Sequence, residues 1–248
     1  MLLLSNKLLL KRTELFKSIQ HWRSLGEPDF ILSAIRNGYK IIFISTPPRC
    51  FTNNASALKE ADFVREVILE LLRGNLVEEI ISPPDIVNPL TVSVQANGEK
   101  RLILDLRHIN FHVYKQNFKC ENLNTIKKTF AKGIFVFSFD LKSGYYHIDI
   151  FPDHRKYLAF SWEFVPGHTR FLQFIVSPFE LSSTSDIFTW LLKPLETQWR
   201  AQGIPVAIFF MISSALVHRL FQVAKLNSSL VPSNLFRRGF EINHVKSN

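Results

Sequence analysis

The stretch Ile134-Phe135-Val136-Phe137-Ser138-Phe139-Asp140-Leu141-Lys142-Ser143-Gly144-Tyr145-Tyr146-His147-Ile148-Asp149 decides the fold. Ile134–Asp140 is rich in aromatic and β-branched residues and reads as a buried strand. It ends on a carboxylate, Asp140, and a carboxylate at the tip of a strand suits metal-dependent phosphoryl transfer. Ser143-Gly144 bends the chain, and Tyr145 follows where it could stand beside whatever such a metal holds. Taken alone, a strand ending in Asp is more often a structural cap or turn. The second informative feature is an absence: between Glu196 and Glu241 there is no Asp or Glu.

Upstream, a helix is expected around Glu14–Leu25, followed by a loop containing Thr46-Pro47-Pro48-Arg49. Ser56 opens an amphipathic helix in which Leu58, Ala61, Val64, Ile68, Leu71 and Leu72 recur at helical spacing up to Gly74. Ser82-Pro83-Pro84 punctuates the chain. Leu90–Gln95 and Lys100–Leu106 alternate around the turn Asn97-Gly98 and read as a hairpin. On its second strand Leu102, Leu104 and Leu106 share one face, and Arg101, Ile103 and Asp105 the other. Asp105 and Arg107 either form an ion pair or lie on opposite faces and never meet.

Downstream, Tyr157–Trp162 and Arg170–Val176 form a second hairpin around Pro166-Gly167. Ser182–Gln202 reads as a helix closed by Gly203, Val206–Ile212 as a buried strand, and Phe221–Arg238 as a helix. Strands and helices without regular βαβ alternation imply an α+β architecture.

Composition narrows the function. The 248 residues are 46% hydrophobic and 21% charged, which is ordinary for a globular chain. Thirty Lys and Arg against 21 Asp and Glu give a formal charge of +9 and a pI near 9.6. That balance favours a polyanionic partner, nucleic acid first and an acidic membrane surface second. Two cysteines, Cys50 and Cys120, exclude a disulfide scaffold, and no CxxC spacing points to zinc. A reducing, intracellular setting fits, nuclear or cytoplasmic. The apolar N-terminus is broken by Asn6 and Lys7 and lacks the features of a signal peptide. The longest uncharged run, Gly203–His218, is shorter than the roughly 18 residues of a membrane span.

Three motifs in order carry a resemblance. Leu102-Ile103-Leu104-Asp105-Leu106-Arg107-His108-Ile109-Asn110 resembles the fingers motif of reverse transcriptases. Phe139-Asp140-Leu141-Lys142-Ser143-Gly144-Tyr145 resembles their first palm motif, and Ser177-Pro178-Phe179-Glu180-Leu181-Ser182-Ser183 their Pro-Phe-Gly-Leu-Ser-Ser segment. In phrasing the chain is most similar to the DIRS-type retrotransposons, through Trp22 to Pro48, Asn88-Pro89-Leu90 and Gly239-Phe240-Glu241-Ile242-Asn243. The likeness runs from Trp22 to Asn248.

The resemblance implies an RNA-directed DNA polymerase domain with a fingers-and-palm fold. The palm would be an antiparallel sheet backed by helices, and the thumb would be absent. Residues 1–55 would be an N-terminal helical and loop segment and 56–133 the fingers. Residues 134–150 would be the first catalytic strand of the palm, 151–177 a fingers/palm hairpin and 178–248 the remaining palm, truncated. Asp140 would be catalytic and ligate Mg2+ or Mn2+. Arg101 would meet the triphosphate of an incoming dNTP, as a planar guanidinium does well. Tyr145 would lie under the sugar and exclude a 2′-hydroxyl, and Phe179 would pack beneath the templating base. The partners would be an RNA or DNA template with its primer, with RNase H and recombinase domains outside this chain.

The chain also departs from the pattern. Phe209, Phe210, Met211 and Ile212 fall where the family has Tyr-x-Asp-Asp, so Met211 and Ile212 are degenerate catalytic positions. Asp149 and Asp153 lie past the turn and are expected at the surface. Glu180 stands where the family has Gly, and Gln95-Ala96 where it offers lysines. Adjacent Met and Ile codons contain GAT, an aspartate codon, in a shifted frame. Two compensating frame errors are therefore expected around codons 205–220, and the genomic DNA there checks it. The sequence-level expectation is an impaired, fragmentary polymerase domain. The alternatives are a non-enzymatic nucleic-acid-binding module and a retroelement relic.

Overall fold

The computed structural model describes residue 12, residues 15–26, 28–47, 51–115, 135–204, 206–208, 213–218 and 221–244, and residue 247. In chain order its helices are α1 (Ile19–Arg23), α2 (Asp29–Asn37), α3 (Ala55–Lys59), α4 (Ala61–Arg73), α5 (Arg107–Asn110), α6 (Thr184–Ala201) and α7 (Phe221–Arg237). The strands are β1 (Val77–Ile80), β2 (Leu90–Val94), β3 (Lys100–Leu104), β4 (Phe135–Asp140), β5 (Ala159–Val165), β6 (His168–Phe174), β7 (Val206–Ile208) and β8 (Ser213–His218). Every ladder between these strands is antiparallel, so the α+β reading holds. The chain divides into two compact units.

The first unit joins Asn37–Lys115 to Ile148–Thr184 and takes Arg12 with it. Both expected hairpins are here. β2 and β3 pair from Leu90↔Leu104 to Val94↔Lys100, and the Asn97 side chain accepts the Glu99 N–H at 3.1 Å inside their turn. β5 and β6 meet around Pro166-Gly167, and β1 joins the outer side of β6. Val77, Phe160, Trp162, Leu172 and Phe174 build the core of this sheet.

The helix expected from Ser56 is in fact two. It breaks at Glu60, whose φ of −106° and ψ of 39° leave the helical region. Val64, Ile68 and Leu71 of α4 are buried as the periodicity implies, and Val67 joins them, but Leu58 is 60% exposed. The break turns Leu58 off the stripe that α4 continues, and Ala57 takes the buried place. Glu60 is held instead by Lys100 of β3, Nζ to Oε2 2.6 Å.

The second unit comprises the described residues of Thr13–Arg36, Gln116–His147 and Ser185–Asn248. Its sheet runs β4-β8-β7, with α7 against β4 and β8. Ile187, Leu191, Leu195 and Trp199 form the buried stripe of α6. Trp22 is fully buried, edge-on to Phe240, and its Nε1 donates to the Arg238 carbonyl at 3.1 Å. α2 has no counterpart among the sequence expectations.

One expectation is corrected in this unit. β4 is not buried throughout: Phe135 is 42% and Val136 46% exposed. The strand lies at the edge of its sheet, so an apolar run does not bring a neighbour to both sides. Of the strand expected over Val206–Ile212, the described part is β7, which pairs with β8 from Val206↔Leu216 to Ile208↔Ser214. Residues 209–212, with the expected degenerate positions Met211 and Ile212, lie outside the described residues.

Candidate functional site

Asp140 is the last residue of β4, and the β4–β8 register sets it opposite Ser213. It therefore stands where β8 begins, immediately after residues 209–212 in the chain. On its other side the chain from Glu241 to Asn243 comes alongside. Leu141 bridges Ile242, and the Lys142 N–H donates to Glu241 O at 2.8 Å. The Asn243 N–H donates to Asp140 O at 2.8 Å. The Asp140 N–H donates to Ser247 Oγ at 3.2 Å, and Ser247 Oγ donates in turn to Asn243 O at 2.7 Å. Its carboxylate Oδ2 accepts the Asn243 side-chain amide at 3.3 Å. Lys142 closes this side with an ion pair to Glu241 at 2.7 Å.

The bend after Asp140 is tied to the same segment through His147. This imidazole is buried, and burial pushes it down to about 4. Its Nε2 accepts the Glu241 N–H at 2.9 Å. Nδ1 therefore carries the proton and donates to Gly144 O, also at 2.9 Å. Ser143 adopts φ +51°, and Tyr146 N–H closes the bend on Ser143 O at 2.8 Å. Tyr145 is buried, with its ring edge-on to Phe188 at 5.3 Å. Asp140 and Tyr145 thus share one rigidly bonded neighbourhood in the second unit.

Arg101 and Phe179 belong to the first unit. Arg101 lies on β3 opposite Ser93, half-buried, and its Nε is buried without a hydrogen-bond partner among the described residues. The pair left open by sequence resolves as an ion pair. Arg107 grips Asp105 with Nε and Nη2 at 2.9 and 2.6 Å, and its N–H reaches Asp105 Oδ1 at 3.2 Å. That grip holds the Asp105 carboxyl below the usual carboxylate range. Phe179 and Glu180 are half-buried, and burial pushes the Glu180 carboxyl up to about 6. Asp149 is not a free surface acid: Arg12 clamps both its oxygens, at 2.8 and 2.6 Å. Asp153 is exposed as expected.

Sequence reasoning missed a set of asparagines that join these motifs. Asn88 is fully buried and donates to Tyr157 O and Ala159 O at 3.0 and 2.7 Å. With its Nδ2 so engaged, its Oδ1 accepts from His108 Nε2 at 3.0 Å. Asn53 accepts the Leu90 N–H at 2.9 Å and donates to Ser161 O at 2.9 Å. Asn110 donates to Glu180 O and accepts the Ser182 N–H, both at 2.8 Å. In sequence these residues look like ordinary turn formers, and the quoted motifs contain Asn88 and Asn110 without giving either a role.

Among the described residues, the divalent metals implied by the resemblance find no complete set of ligands. Among the described residues no group of three or more His, Cys, Asp or Glu could hold a metal ion. The side chains of Phe209, Phe210, Met211 and Ile212 supply no hard oxygen ligand, and Asp140 Oδ2 is engaged by an amide donor. No helix among the described residues is long and apolar enough to cross a membrane.

Comparison with known proteins places this geometry. No protein-family model matches the chain. It is 30% identical over 129 residues to the putative enzymatic polyprotein of Cassava vein mosaic virus, covering 49% of this chain and 19% of that one. It is 28% identical over 132 residues to the retrovirus-related Pol polyprotein from transposon gypsy of Drosophila melanogaster, covering 52% of this chain and 12% of that one. Among solved structures it is similar to Prototype Foamy Virus protease–reverse transcriptase, with a TM-score of 0.68 at 19% identity. That match covers 85% of this chain and 27% of the viral one; the native form gives a TM-score of 0.67. The fold is reverse-transcriptase-like, and the sequence relatives are viral and retrotransposon polyproteins. The chain spans about a fifth or less of the length of these polyproteins.

Proposed function

We propose that this chain is the reverse-transcriptase domain of a DIRS-type retroelement, able to hold a primer–template but impaired in extending it. The observation that carries the reading is the pairing of Asp140 with Ser213. It puts the carboxylate-bearing Asp140 at the start of β8, and the four residues before β8 have no carboxylate to join it. In this reading Asp140 is the surviving catalytic acid, and Met211 and Ile212 occupy the degenerate positions. Arg101 faces the triphosphate, Tyr145 the sugar and Phe179 the templating base. An unsatisfied guanidinium nitrogen on Arg101 supports an anionic ligand, because a buried donor left without an acceptor costs free energy. The fingers would span 56–133, with the palm built from 134–150 and 178–248. The excess of basic residues favours the same partner.

The test is primer extension on an RNA template with dNTPs and Mg2+ or Mn2+. The protein as it stands binds the primer–template and yields no detectable product. The double variant Met211→Asp with Ile212→Asp gains extension, and adding Asp140→Asn removes it. Robust extension by the unaltered chain, abolished by Asp140→Asn, would refute the impairment. Failure to bind primer–template would refute the polymerase reading itself.

A further inference from the structure

The turn that carries Phe179 is built on a buried hydroxyl pair. Ser177 and Thr184 are buried, their hydroxyls lie 2.5 Å apart, and Thr184 Oγ1 reaches Pro178 O at 3.0 Å. Above that base Leu181 N–H meets Pro178 O at 3.4 Å. Asn110 adds two shorter bonds from outside the turn. Its amide gives an N–H to Glu180 O and takes the N–H of Ser182, both at 2.8 Å. One planar amide thus presents a donor and an acceptor to alternate residues, as a neighbouring strand would. Swapping its oxygen and nitrogen would oppose like dipoles at both contacts, which fixes its orientation.

Asn110 is itself immobilised. It closes α5, its N–H donates to Leu106 O at 2.8 Å, and its neighbour Ile109 is fully buried. α5 starts at Arg107, which is locked onto Asp105. The motif Asp105–Asn110 therefore ends in a side chain that grips the Pro178–Ser182 turn from outside.

We infer that Asn110 is a positioning residue for template: it holds the Pro178–Ser182 turn so that Phe179 can receive a nucleobase. The inference rests on the role proposed above for Phe179. Among the described residues its amide touches only protein backbone, so it acts on the template through Phe179 and adds no charge for phosphate. Removing it lowers affinity without changing the number of counterions released on binding.

The experiment combines amide hydrogen exchange at Ser182 with fluorescence anisotropy on a labelled primer–template, using the full chain. Asn110→Ala is expected to deprotect Ser182 and weaken binding about tenfold, within the range of one lost base-stacking contact. Phe179→Ala weakens binding as much, the double variant binds no more weakly than either, and the salt slope stays that of the parent. Asn110→Asp keeps the acceptor for Ser182 and loses the donor to Glu180 O, so it weakens binding less and serves if Asn110→Ala does not fold. If Asn110→Ala or Asn110→Asp binds like the parent while Phe179→Ala is weakened, the positioning role is wrong and the function proposed above survives. If the Phe179→Ala variant also binds like the parent, the turn does not contact template and the inference falls with that assignment. A parent that does not bind would overturn both readings.

Discussion

Two ionisable side chains pull stability in opposite directions over the same acid range. His147 has its folded pKa depressed to about 4 by burial, from 6.5. The folded protein then binds fewer protons than the unfolded chain. Its contribution is complete above pH 6.5 and is lost as pH falls to 4, by about 3 kcal/mol. Glu180 has its folded pKa raised to about 6, from 4.5. Its penalty is absent below 4.5 and grows to about 2 kcal/mol as pH rises past 6. The sum is a shallow profile that hides both groups, so variants must be compared with the parent at each pH. In urea unfolding, the stability of Glu180→Gln relative to the parent should rise by that amount between pH 4.5 and 6. The deficit of His147→Gln, largest at neutral pH because two hydrogen bonds are lost, should shrink as pH falls from 6.5 to 4. A deficit constant with pH would mean that His147 is not held neutral by its buried position.

At the scale of elements, what sequence revealed was what side chains punctuate. Asn97-Gly98 and Pro166-Gly167 marked both hairpins, Gly203 marked the end of α6, and Asp140 marked the end of β4. The break at Glu60 was invisible, because an ion pair to Lys100, a strand away in the fold, accompanies it rather than a local stop signal. β8 was hidden in an uncharged run where nothing separates one strand from the next. The exposed half of β4 was misread because apolar residues do not say which side of a strand will find a neighbour. The Asn88 and Asn110 contacts could not be read at all, being fixed by partners tens of residues away. Gly38 is a further junction of this kind. Its φ is +92°, and a Cβ there would lie 2.6 Å from Phe151 N. That backbone is fixed by hydrogen bonds from Tyr39 N–H to Asp149 O at 2.7 Å and from Phe151 N–H to Tyr39 O at 3.0 Å. Gly98 has a similar φ of +80° but open space around it. Gly98→Ala should therefore cost only the left-handed backbone term, about 1 kcal/mol. Gly38→Ala should cost roughly 3 kcal/mol or more, since two backbones must also separate. Equal unfolding midpoints for the two variants would show that the Gly38 contact yields without cost.

At the scale of the whole chain, the fold and the chemistry obey different constraints. Like-charged carboxylates held close together repel and cost stability, so their loss from a palm leaves folding unharmed. The backbone pairing described across β4, β8 and β7 is made by residues outside 209–212. The reverse-transcriptase-like fold, at a TM-score of 0.68 to a viral enzyme, is therefore compatible with the impairment proposed above. The formal charge of +9 favours a phosphate-bearing partner, as the proposed function requires. Nucleic-acid binding should therefore be strongly salt-dependent and indifferent to sequence. A surface contacting several phosphates loses on the order of a thousandfold or more in affinity between 50 and 200 mM salt. Anisotropy titrations on two unrelated primer–template sequences should give the same steep slope of log affinity against log salt. The slope should be the same with EDTA as with Mg2+, because Asp140 alone does not recruit an ion into the complex. A flat salt dependence would mean that the basic excess serves solubility rather than binding, and a slope that changes with EDTA would mean that another acid joins Asp140 when nucleic acid is bound.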